Sequence, residues 1–326
     1  MKVLITGANG LLGSCISQHL VHLGHHVVAA VRPGADLSLL SDIKDQLIIK
    51  HLELSDVTTL RKLVEEVDAV VHCAGMVSFS PHVKSQLFEA NVKGTANVCH
   101  AMSGFTDKHL IHISSVAALG RSPGILEINE EQQWEESEDN SYYACTKYWA
   151  ELEVFRATAE GLKASILCPS IVIAPTDIKR SSGRLIGYVL KELPFYPRGV
   201  VNLVDVRDIA KAVDLCLQKK STGRYILSSR QMEYKELLEA LALKLNKRPP
   251  RYPLGKFLSG IIWRVEWIRS WLFKSDPFIT KETAKISGGH YKFSGDKAVR
   301  ELGLQYCSFE DTLNFVFTSL VDNKSH

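Results

Sequence analysis

Residues 2–13 read KVLITGANGLLG, and the fold turns on how that stretch is interpreted. Lys2 to Ile5 form a short apolar run with β-branched members, the composition of a buried strand. Beyond it, Leu12, Ile16, Leu20 and Leu23 recur at helical spacing. A second apolar run, HHVVAAVR at 25–32, reads as another strand. Strand, glycine turn, helix and strand make a βαβ unit, in which Gly7, Gly10 and Gly13 have separate tasks. Gly7 permits a tight turn, Gly10 lets the backbone approach a pyrophosphate, and Gly13 lets helix and strand pack closely. The helix N-terminus offers free N–H groups and a positive dipole end to phosphate.

Working outward, buried strands are expected at 46–54, 69–75, 109–115, 163–175 and 200–206, and helices at 56–66, 83–103, 141–160 and 207–219. This alternation predicts an α/β fold with a doubly wound parallel sheet. The rhythm stops after that, with helices expected at 231–246 and 255–273 and a last one from Ser308. The expected division is a nucleotide-binding domain over 1–175 and a smaller, mostly helical substrate-binding region over 176–326. The strand near 200–206 and the helix 207–219 are expected to return to the first domain. With 326 residues, 45% hydrophobic and 23% charged, the chain has the composition of a soluble globular protein. A net charge of +3 does not argue for nucleic acid or membrane. Seven scattered cysteines without a CxxC pair, and no signal-peptide pattern, lead us to expect reduced thiols and a cytoplasmic location.

The chemistry concentrates in YYACTKYWAE. Tyr143 and Lys147 are four apart, so a helix places phenol and ammonium on one face. A free phenol, with a pKa of about 10, is a poor base near neutrality. An adjacent cation favours the phenolate and is expected to lower that value. Tyr142 is excluded as the first member because its i+4 partner is Thr146. A strand ending in HISS lies about thirty residues upstream, and Ser115 at its carboxyl end can donate to a substrate oxygen; Ser114 is the competitor.

TGxxGxxG, HISS and YxxxK in this order resemble the extended branch of the short-chain dehydrogenase/reductase superfamily, with its Rossmann fold. The matches continue over nearly the whole chain in HCAG, NVKGTANV, CPSIVIAP, VNLVDVRDIAKAV and KAVRELG. The resemblance implies catalytic roles for Ser115, Tyr143, Lys147 and Asn91. It implies cofactor contacts from Gly7, Asn9, Gly10, Leu11, Leu12, Gly13, Arg32, Glu53, Leu54, Cys73, Ala74, Gly75, Pro169 and Ser170, together with Tyr143 and Lys147. Ser115, five residues before Gly120, matches the family's serine. His72 replaces an Asn of the family pattern, and Cys168 replaces an Arg. Val31 stands where relatives that use NAD carry Asp, and Arg32 follows it, so NADP(H) is expected, with NAD the other possibility.

Within the family, SSVAALG lacks the Asp–Glu pair of sugar-nucleotide dehydratases, and Leu119 replaces the Tyr of many epimerases. The chain looks more like the dihydroflavonol reductase, cinnamoyl-CoA reductase and 3β-hydroxysteroid dehydrogenase group. The implied activity is reversible reduction of a ketone or aldehyde. A nucleotide-sugar epimerase and a non-catalytic NADP sensor are the alternatives.

The substrate end is read from fewer signals. The segment 126–142 carries seven acids in 127–139 and reads as a loop, with Trp134 a candidate lid residue. In 257–273, Trp263, Trp267 and Trp271 recur every four residues, and the run is too short to span a bilayer. Packing over the pocket is expected there, which implies a bulky apolar or aromatic substrate; a membrane-surface or dimer contact is the other reading. The partner expected is a small molecule, with no nucleic acid and a homodimer as a family-level expectation. His19, His22, His25 and His26 sit at a helix end and its turn, where no metal site is expected.

Overall fold

The structure is a computed structural model that describes residues 1–121, 124–175, 183–255 and 288–322. In chain order it runs β1 (Lys2–Thr6), α1 (Leu11–His22), β2 (His26–Val31), β3 (Leu47–His51), α2 (Val57–Glu65), β4 (Ala69–His72), α3 (Lys84–Leu87) and α4 (Gly94–Met102). There follow β5 (His109–Ile113), β6 (Glu127–Ile128), α5 (Tyr142–Ala159), β7 (Lys163–Pro169), β8 (Ile171–Ile173), α6 (Gly183–Leu190), β9 (Phe195–Tyr196) and β10 (Val200–Asp205). The described remainder comprises α7 (Val206–Lys219), β11 (Gly223–Leu227), β12 (Arg230–Glu233), α8 (Tyr234–Leu245), β13 (Tyr252–Pro253), β14 (Lys292–Phe293) and a final helix, Phe309–Asp322.

Seven strands pair in the order β3-β2-β1-β4-β5-β7-β11, all parallel. Side-chain alternation decides which helices cover which face. Val3 and Ile5 bury against Ile16 and Leu20 of α1 and Ile209 and Val213 of α7. Leu4 points the other way, into a core with Leu60 of α2, Met102 of α4 and Val154 of α5. Helices on both faces are what an all-parallel sheet requires. The strand order reverses between β1 and β4, and ligands bind in such a sheet at the carboxyl ends beside that point.

The 163–175 run is two strands. β7 completes the seven-stranded sheet, and after Ser170 the chain enters β8 in a second sheet, ordered β12-β10-β8. The strand expected to rejoin the nucleotide sheet, β10, pairs with β8 and β12 instead. α7, the helix after it, shares a core with α1. The edge position beyond β7 is taken by β11, a strand that the sequence pattern did not single out. The helical stretch expected at 83–103 is broken by a π turn at Phe88–Lys93, and the first residues of 231–246 belong to β12. A third core, with Ile186 of α6, Leu203 of β10 and Leu237 and Leu241 of α8, supports the second sheet. The tryptophan stripe at 257–273 lies outside the described residues. No helix among the described residues is long and apolar enough to cross a membrane.

Candidate active site

The turn after β1 is built around its glycines. Gly7 has φ +67°, a left-handed conformation that other residues resist, and a Cβ there would stand 2.7 Å from Ala74 Cα. A Cβ on Gly13 would lie 2.2 Å from the Gly7 carbonyl oxygen. Gly10 is the N-cap of α1 and supplies no side-chain cap. The first-turn N–H groups of α1, from Leu11, Leu12 and Gly13, therefore face the cradle without an acceptor of their own helix. A glycine cradle at an uncapped helix N-terminus, at the switch point of the sheet, fits a dinucleotide pyrophosphate. Asn9 ties this turn to the loop after β2, its Nδ2 donating to the Asp36 carbonyl oxygen at 3.2 Å. Arg32 follows β2 as an exposed residue. Glu53 is also exposed, and Leu54 is part-buried against Gly94.

At the end of β4, Cys73 N–H donates to the Thr6 carbonyl oxygen at 3.1 Å, which holds Cys73, Ala74 and Gly75 beside the glycine turn. His72 fills the place of the expected Asn. Its ring nitrogens contact Thr6 Oγ1 at 2.7 Å and Thr95 Oγ1 at 3.1 Å. Burial pushes its pKa down to about 3, so it is neutral at ordinary pH. Asn91, on the π turn, is fully engaged. Its amide donates to the Met76 carbonyl oxygen and to Thr146 Oγ1, each at 3.0 Å, and its Oδ1 accepts from Met76 N–H at 2.7 Å. It pins the loop after β4 to α5; its hydrogen bonds go to neither Tyr143 nor Lys147.

α5 starts at Ser141, whose hydroxyl caps Ala144 N–H at 3.1 Å. Tyr143, Lys147 and Glu151 then follow at intervals of four on one face. The Ser115 hydroxyl acts on the Tyr143 phenol, and the Phe79 ring stands edge-on to it at 5.8 Å. Burial pushes the phenol up to about 12, and the Ser115 hydroxyl pulls it the other way. The expectation that Lys147 lowers this pKa needs correction, because Lys147 is not among the groups that shift it. The reason is its direction: Lys147 Nζ donates to the Ile113 carbonyl oxygen at 2.9 Å. Burial lowers Lys147 itself to about 8, against an opposing pull from the Glu151 charge.

The two serines of HISS divide their work. Ser115 caps the short turn 116–119 and meets Tyr143, whereas Ser114 donates to Glu151 Oε1. Glu151 also receives the Cys168 thiol at 3.3 Å and Arg224 Nη1 at 3.2 Å. Its side chain is fully buried and that of Arg224 nearly so, a paired charge in the interior. Arg224 comes from β11, one strand over from Cys168, and so places a guanidinium behind the site from a neighbouring strand. Sequence reading missed Glu151 and Arg224; the i+4 spacing from Lys147 was the available signal for the first. Trp134 stacks on Tyr148 of α5 at 4.4 Å and 6°, and Gly120 leaves room for its ring. Pro169 ends β7, and Ser170 follows it at the carboxyl end of that strand.

A model of the NAD dependent epimerase/dehydratase family matches residues 3–227. Cinnamoyl-CoA reductase 1 of Oryza sativa is 26% identical over 330 residues, covering 96% of this chain and 88% of that protein. Sterol demethylase protein B of Methylococcus capsulatus is 25% identical over 311 residues, covering 93% of each. The crystal structure of gox2253 superposes with a TM-score of 0.81 at 29% identity and covers 98% of both chains.

Proposed function

Because the chain belongs to the NAD dependent epimerase/dehydratase family and is an extended short-chain NAD(P)-dependent oxidoreductase, we propose that it reduces a ketone or aldehyde with NADPH and catalyses the reverse oxidation. The observation that carries this reading is the placement of Tyr143 and the buried Lys147 one turn apart on α5, with Ser115 acting on the Tyr143 phenol from the end of β5. The names of two relatives, a cinnamoyl-CoA reductase and a sterol demethylase protein, support a bulky apolar or aromatic substrate.

A dinucleotide held here would supply or accept the hydride. Gly7, Asn9, Gly10, Leu11, Leu12 and Gly13 hold its pyrophosphate end. Arg32 faces the 2′-phosphate, and Glu53, Leu54, Cys73, Ala74 and Gly75 take the adenosine side. Pro169 and Ser170 close the nicotinamide side. Ser115 donates to the carbonyl oxygen of the substrate and fixes its orientation. Tyr143 gives that oxygen its phenolic proton as negative charge develops there, and recovers it from solvent afterwards. Lys147 holds the ribose hydroxyls. Asn91 acts as a positioning residue through Thr146 and Met76. In this reading residues 1–175 bind the nucleotide and 176–326 shape the substrate pocket, with α7 returning to the first part.

The test is absorbance of the reduced nicotinamide during incubation with NADPH or NADH and a panel of aromatic, steroid-like and sugar-nucleotide carbonyls. The expected result is substrate-dependent loss of NADPH on the apolar members, with Tyr143→Phe lowering kcat by about 10²–10⁴. Interconversion of nucleotide sugars without net loss of cofactor would move the assignment to an epimerase.

A further inference from the structure

A small cavity of about 50 Å³ is lined by Val116, the residue after Ser115, and by Arg121, Ser170, Ile171, Tyr234 and Tyr291 among others. Most of this wall is apolar or aromatic. Two of its polar groups are not satisfied. Arg121 is only 9% exposed, and its Nη1 is buried without a hydrogen-bond partner. Ser170 is 7% exposed, and its Oγ is likewise buried without one. Asn202, in the same wall, is fully used, giving to the Tyr291 carbonyl oxygen and accepting from Phe293 N–H.

A buried guanidinium nitrogen without an acceptor is costly for a fold to retain. The Arg121 backbone is held by Asn140 Oδ1 at 2.8 Å, and its guanidinium lies over the Tyr291 ring at 5.7 Å. Asp139 contributes a compensating field, but its Oδ2 accepts from Tyr291 Oη at 2.8 Å. Burial lowers the pKa of Arg121 from its ordinary value, as expected of a cation short of compensation. Ser170 lies directly after β7, and Val116, in the same wall as Arg121 and Ser170, directly follows Ser115, so the cavity they line adjoins the serine assigned to the reacting carbonyl.

We propose that Arg121 and Ser170 form an oxyanion subsite, which anchors an acidic group of the substrate, a carboxylate or a phosphate monoester, while its carbonyl lies at Ser115 and Tyr143. The substrates are then apolar or aromatic carbonyl compounds that carry an acid, and a neutral analogue binds less tightly. This deepens the reductase reading and rests on it for the position of the carbonyl.

The experiment is calorimetric titration of the purified full chain with benzoylpropionate, its methyl ester and phenyl phosphate, beside NADPH consumption on the first two. The acid is expected to bind about tenfold or more tighter than the ester, the size of a charge-assisted hydrogen bond. Arg121→Met should abolish that preference, Arg121→Lys should keep part of it, and Ser170→Ala should reduce it. A surface control, Arg300→Met, should keep it whole. If Arg121→Met is not folded by circular dichroism, Arg121→Lys and Ser170→Ala carry the same comparison. Tight phenyl phosphate binding that depends on Arg121 identifies a phosphate monoester as the source of the oxyanion; acid binding alone identifies a carboxylate. Equal binding of acid and ester by the wild type, or a preference that survives every substitution, overturns the subsite. Arg121-dependent acid binding without turnover of any carbonyl overturns the reductase reading instead and leaves the subsite standing.

Discussion

At the scale of single residues, burial sets the titration of the site. Lys147 is lowered to about 8 and Tyr143 raised to about 12, so the lysine loses its proton first as pH rises. For carbonyl reduction, kcat/KM is expected to fall as pH passes about 8, which a pH–rate profile reads directly. The Glu151 charge opposes that lowering, so Glu151→Gln should move the break to lower pH. A break left in place would mean that the carboxylate does not act on Lys147. Arg32→Ala should raise KM for NADPH about tenfold to a hundredfold, with a far smaller effect for NADH, as for any lost charge-assisted contact. Equal effects on both cofactors would remove Arg32 from the 2′-phosphate. Tyr143, Lys147 and the glycines were legible because their spacing is local. Arg224 was not, because its meaning depends on a strand neighbour more than fifty residues away in the chain, and periodicity carries no pairing.

At the scale of elements, the glycine turn is as much a packing device as a binding one. The contact of Gly13 with the Gly7 carbonyl leaves no space for a methyl group. Gly13→Ala is expected to cost about 1–3 kcal/mol, the usual price of overpacking, and to weaken dinucleotide binding. Thermal unfolding with and without NADPH would show both, and unchanged midpoints would refute the packing argument. The sheet was readable from its apolar runs, yet those runs misassigned two strands. The 163–175 run is apolar on both sides of Ser170, so nothing in its composition marks the change of sheet. β10 is as apolar as the nucleotide-sheet strands, because it too is covered on both faces.

At the scale of the whole molecule, the interior holds histidines that must stay neutral. Burial lowers His72 from 6.5 to about 3 and His109 from 6.5 to about 4. Between those values and 6.5 the unfolded chain binds protons that the folded one refuses, so stability is lost as pH falls through that window. Each such group contributes up to about 1.4 kcal/mol per pH unit there. Urea midpoints should fall between about pH 7 and about pH 5, and less steeply in His72→Asn. The same slope in both proteins would dismiss His72 as a source. The two sheets, finally, are joined by very short connections. One residue, Ser170, separates β7 from β8, and two, Ser228 and Ser229, separate β11 from β12. Backbone bonds lock the joints, Ser170 N–H to Leu227 O at 2.9 Å and Ser229 N–H to Leu203 O at 2.8 Å. In mechanical terms these are stiff couplings, too short to absorb a swing of one sheet against the other.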